Sequence, residues 1–118
     1  MRKIGLLAGI SIAALEVLSA CTTTSSYIPL HPKSPRGKNC ELDIVMPGES
    51  PKKTTQVIGS FSVQEMGLSV NCAWPETLQK NKDHACEAGA QGIQFLTVDA
   101  PFIHSTCYRT KANFFIYE

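Results

Sequence analysis

Net charge is almost absent from this chain: eleven lysines and arginines against ten carboxylates leave a formal +1. No basic stripe stands out, so nothing in the balance recommends nucleic acid as a partner. Cys-x-x-Cys is missing too, which removes the commonest sequence signature of thiol-redox catalysis and of small zinc sites. No nucleophile, base and orienting acid fall into a recognisable constellation. His104 beside Ser105, and Asp83 beside His84, read as isolated surface or loop pairs. The expectation is a protein that is not an enzyme. After Asn39 there is neither an internal repeat nor a low-complexity block. A long apolar run is lacking as well: the stretch from Ile4 to Leu18 is too short, and too soon followed by polar residues, for a permanent transmembrane helix.

That stretch is the layout of an export signal, because Arg2 and Lys3 precede it and small residues close it. It ends in Leu18-Ser19-Ala20-Cys21, which resembles the lipobox of bacterial lipoproteins. The resemblance implies cleavage after residue 20 and a diacylglycerol on Cys21, a covalent lipid in place of any cofactor. Each buried methylene adds roughly 0.8 kcal/mol, so several acyl chains hold a protein firmly to one leaflet. Thr22, rather than an aspartate, follows the cysteine, and in enterobacterial-type sorting that implies the outer membrane.

The mature chain fits one small domain on a tether. Residues 21–39 are expected to be the lipidated cysteine and a flexible linker, Thr/Ser-rich and then carrying Pro29, Pro32 and Pro35. Lys33, Arg36 and Lys38 lie in it and read as solvated tether, with an anionic-lipid role as the alternative. The domain proper is expected over residues 40–118. Cys40, Leu42, Ile44 and Met46 alternate with polar neighbours, a half-buried strand stopped by Pro47-Gly48. A second strand is expected over residues 56–63, with Val57, Phe61 and Val63 on one face. Pro75 and Glu76 suit the first turn of a helix running to about Ala90, whose stripe is Leu78, Ala85 and Gly89 and whose terminator is Gly92. Strands over residues 93–98 and 108–116 complete the set. The predicted fold is α+β, a four-stranded sheet in β-β-α-β-β order with one helix on one face.

Cys21 apart, Cys40, Cys72, Cys86 and Cys107 form an even set, which in an exported domain reads as two disulfides. Cys40 is in phase with the apolar face of its strand, and Cys86 flanks the apolar stripe of the helix. Cys72 and Cys107 both fall at element ends. Cys40 with Cys86 and Cys72 with Cys107 is the favoured pairing, but four cysteines permit three pairings and spacing alone does not choose.

The run Gly89-Ala90-Gln91-Gly92-Ile93-Gln94-Phe95-Leu96, followed by Cys107-Tyr108-Arg109, resembles the outer-membrane lipoprotein sensors of the Rcs envelope-stress phosphorelay and related small lipoproteins. The resemblance covers about half the chain, from Ile58 onward. It implies a similar domain, the same compartment and a bridge from the cysteine of Cys-Tyr-Arg to one between the second strand and the helix, here Cys107 and Cys72. The family's second bridge is not implied, because Asn113 and Val98-Asp99 occupy its positions. The family's tether is longer than the one here.

Function is therefore expected to be non-enzymatic, through a protein partner in the envelope, as a sensor or an assembly accessory. An exposed Trp74 and the loop from Asp99 to Thr106, with Phe102 and Ile103, are the first candidates for a contact patch. One alternative is a small-ligand or metal-binding module, which would need a pocket lined by His84, His104 and unpaired cysteines. Another is a purely structural envelope component.

Overall fold

A computed structural model describes residues 24–64, 72–102 and 107–118. Among the described residues it is α+β, with one helix and a disulfide-stapled sheet, but the sheet has five strands. In chain order these are β1 (Thr24–Pro29), β2 (Asp43–Val45), β3 (Thr55–Gln64), the helix α1 (Trp74–Glu87), β4 (Gly92–Asp99) and β5 (Arg109–Tyr117). Across the sheet the order is β1-β3-β5-β4-β2. All neighbours are antiparallel except β2, which runs parallel to β4.

The expected four-stranded β-β-α-β-β sheet is thus corrected by one strand, and the extra strand comes from residues assigned to the tether. β1 pairs along its whole length with β3, from Thr24 opposite Gln64 to Pro29 opposite Gly59. Its sequence, TSSYIP, shows no apolar alternation because it sits at the sheet edge with one inward anchor, Tyr27. That ring stacks on Phe114 at 5.5 Å between centroids. It also lies over Gly59, where an added Cβ would come within 2.1 Å of the phenol oxygen. The supposed tether is pinned at Leu30, His31 and Arg36 as well. The amides of Leu30 and His31 both donate to the Ile58 carbonyl, and that of Arg36 to the Cys86 carbonyl. The Arg36 guanidinium donates to the carbonyls of Glu41 (2.9 Å) and Ala90 (2.6 Å), so it is structural rather than solvated.

The core lies between the sheet and α1, built on Ile58, Phe61, Val63, Ala85, Ala90, Ile93, Phe95, Ala112 and Phe114. Along β5 the alternation places Ala112 and Phe114 inward. A bulge in β3 between Val57 and Gly59 breaks the simple period-two reading: Val57 pairs with Phe115 on the opposite face, and Ile58 is the fully buried residue. A second bulge, in β4, leaves Leu96 half exposed.

The buried residues of α1 are Thr77, Asn81, Ala85 and Cys86, so two polar side chains help form the inward stripe. The Asn81 amide group satisfies part of this cost by donating to the Thr77 carbonyl at 3.0 Å and the Thr110 hydroxyl at 3.2 Å. The helix also ends earlier than expected. Gly89, at φ 83°, is the terminator, and Gly92 instead opens β4. The amide of Ala90 donates to the Ala85 carbonyl and that of Gly89 to the Cys86 carbonyl. This double closure demands a left-handed residue that a side chain would strain. Disulfides join Cys40 to Cys86 and Cys72 to Cys107, with Cα separations of 5.9 and 4.9 Å. The first clamps the crossing segment to the end of α1, and the second ties the entry of α1 to the entry of β5.

Candidate functional site

The two ends of the sheet differ in chemistry. At the end where β1 starts, β3 finishes, β4 finishes and β5 begins. Here the Cys72–Cys107 bridge brings the start of α1 against β5, reinforced by the Tyr108 amide donating to the Cys72 carbonyl at 3.1 Å. Trp74 is half-buried rather than exposed. Its indole packs on Phe95 and Tyr108 with centroids 5.5 and 5.6 Å away, so it joins the core to this end. Phe102 is 49 % exposed, and the Arg109 guanidinium lies over its ring at 5.0 Å. Ile103, the third residue of the expected patch, falls outside the described residues, as do Cys21, His104 and Ser105.

Beside Phe102 is a cleft of about 310 Å³ lined by Val63, Gln64, Thr97, Asp99, Arg109, Thr110 and Lys111. Its polar lining follows from strand alternation, since Arg109 and Lys111 face away from α1 whereas Thr110 and Ala112 face it. Arg109 pairs across strands with Asp99, and Lys111 with Thr97. The Nε of Arg109 is buried without a hydrogen-bond partner. These residues escaped notice in the sequence because they read as the solvent half of an alternating strand. The signal that could have found them is two cations two residues apart, at a strand's start beside a disulfide.

At the opposite end lies a larger cleft of about 450 Å³, beside the C-terminus of α1, lined by Pro35, Arg36, Lys38, Asn39, Asp83, Cys86 and Glu87. Acids and bases balance there. On the sheet face away from α1, Tyr117 donates to the Asp43 carboxylate at 2.5 Å, and Lys52 reaches the same oxygen at 3.3 Å. The Tyr117 hydrogen bond, then the lysine, hold the Asp43 carboxyl below its usual range, and the same bond pushes Tyr117 up to about 12. This clasp fixes the chain's last strand to β2, and its carboxylate is occupied by two donors.

His84 stacks on Phe61 with centroids 4.4 Å apart, a packing role. Among the described residues no three of His, Cys, Asp and Glu converge as metal ligands, and no helix is long and apolar enough to cross a membrane. Compared with protein-family models, curated proteins and solved structures, the chain matches none.

Proposed function

We propose that the protein is a non-enzymatic lipoprotein of the bacterial cell envelope, held at the outer membrane through acylated Cys21, that works by binding another envelope protein. The observation that carries this reading is the cysteine pairing. Cys40–Cys86 and Cys72–Cys107 account for every cysteine after Cys21. Two structural bridges in so small a domain favour an oxidising compartment. They also leave Cys21, at the end of the lipobox-like Leu18-Ser19-Ala20, for anchor chemistry.

Sensing or assembly support suits a compact, stapled fold with scattered exposed apolar side chains. Ile28 is 62 % and Leu30 54 % exposed at the β1 edge, with Phe102 at the end of the sheet that holds the Cys72–Cys107 bridge. Sensing of the Rcs kind is the form that the Gly89–Leu96 and Cys107-Tyr108-Arg109 resemblance implies. Intact mass under non-reducing conditions, followed by photo-crosslinking from positions 28 and 30 at the β1 edge in cells, tests the reading. Acyl mass on Cys21 and a discrete crosslinked envelope protein are expected. An unacylated mature chain would remove the anchor, and crosslinks to lipid alone would remove the protein partner.

A further inference from the structure

We propose that the end of the sheet where β1 begins lies against anionic phospholipid headgroups, with Arg109 and Lys111 facing lipid phosphates. This rests on the reading of Cys21 as the acylated residue. Only two residues, Thr22 and Thr23, separate Cys21 from Thr24, where β1 starts. An extended residue spans at most about 3.5 Å, so the anchor lies within about 10 Å of the folded sheet. β1 is paired into that sheet from Thr24 itself, which keeps the start of β1 within that reach of the anchor.

The register identifies what is brought down with it. Thr24 is opposite Gln64, and one row in, Ser25, Val63, Thr110 and Val98 lie side by side. Neighbouring strands are about 4.8 Å apart, so the start of β5 lies roughly 10 Å from the start of β1. Arg109 and Lys111 are therefore within about 20 Å of the acyl chains, whatever path residues 22 and 23 take.

Charge selects the occupant. Among the described residues, two cations and one carboxylate, Asp99, line this cleft, whereas the cleft at the far end carries Arg36 and Lys38 against Asp83 and Glu87. A guanidinium presents a planar fork suited to phosphate oxygens, and a nearby ammonium adds a point charge. Exposed Phe102, against Arg109, supplies apolar surface at the same end.

The test uses the intact acylated protein in vesicles carrying a headgroup spin-labelled lipid. Trp74, the one tryptophan of the chain, sits at the docking end and reports through its fluorescence. Strong quenching is expected on phosphatidylethanolamine with phosphatidylglycerol, and a loss of about half of it on phosphatidylcholine, in high salt or in Lys111→Glu. Lys111 is exposed, so the variant keeps its core, and Phe102→Ser provides a second variant without a charge change. If Cys21 carries acyl mass but quenching is equal on both lipids and in Lys111→Glu, the docking surface is overturned while the anchor stands. If Cys21 carries no acyl mass, both fall.

Discussion

Replacing Gly59 by alanine asks whether residues 24–29 are a strand or a tether. The new methyl would meet Tyr27 at 2.1 Å from its phenol oxygen and 2.4 Å from two ring carbons, so the ring must leave its seat. Leaving forfeits the stack on Phe114, worth about 0.5–1.5 kcal/mol. It also forfeits the long hydrogen bond to the Ile58 carbonyl, worth at most about 1 kcal/mol. Strain or displacement in the neighbouring core adds about 1 kcal/mol or more. The expected cost is about 2–3 kcal/mol, a fall in Tm on the order of 10–20 °C for a domain of this size. Thermal unfolding of the disulfide-intact protein in detergent, followed by Trp74 fluorescence, measures it. Amide exchange over residues 24–29 should rise by a larger factor than exchange in β5. In a Tyr27→Ala background the clash has no partner, so Gly59→Ala should cost little, giving a coupling of at least about 1 kcal/mol. A Gly59→Ala variant as stable as the parent, or additive with Tyr27→Ala, would refute the placement of β1.

Removing either bridge as a Ser/Ser pair should cost roughly 4 kcal/mol in the chain-entropy account, because the closed loops span 46 and 35 residues of sequence separation; urea midpoints read this. Gly89→Ala should destabilise by about 2–4 kcal/mol in the same assay, since it places a side chain at φ 83° with its Cβ 2.5 Å from the Ser34 carbonyl oxygen. The Asp43–Tyr117 clasp predicts two pH limbs. The lowered Asp43 value gives stability that is complete above the unfolded carboxyl pKa of 3.8 and fades as pH falls through the folded value. The raised Tyr117 value gives stability present below 10.0 and lost as pH rises through about 12. Unfolding midpoints against pH should lose the alkaline limb in Tyr117→Phe and keep a smaller acid limb, because Lys52 still pairs with Asp43; an unchanged profile would separate the clasp from stability.

Much of the architecture follows from local pattern. The alternation over residues 108–116 is visible because Thr110, Ala112 and Phe114 are buried while Arg109, Lys111 and Asn113 between them are not, and Pro75-Glu76 marks the first turn of α1 because its amides need no helical acceptor. The same local logic is blind to bulges, since one inserted residue at Ile58 reverses every side chain on one side of it. It is equally blind to Thr77 and Asn81, whose polarity reads as surface until Thr110 is brought opposite them.

Composition and spacing by themselves determined the α+β class, the helix that opens at Pro75-Glu76, the even set of four cysteines and the lipobox-like ending at Cys21. Only the tertiary structure decided that a Ser/Thr-rich, proline-punctuated segment is a sheet edge, because its stability comes from β3's backbone groups and the seat at Gly59, neither of which lies near it in sequence. The tertiary structure also set the cysteine partners and put Phe102, Arg109 and Lys111 at one end with the start of β1. Those are distances between strands far apart in the chain, and no local period encodes them.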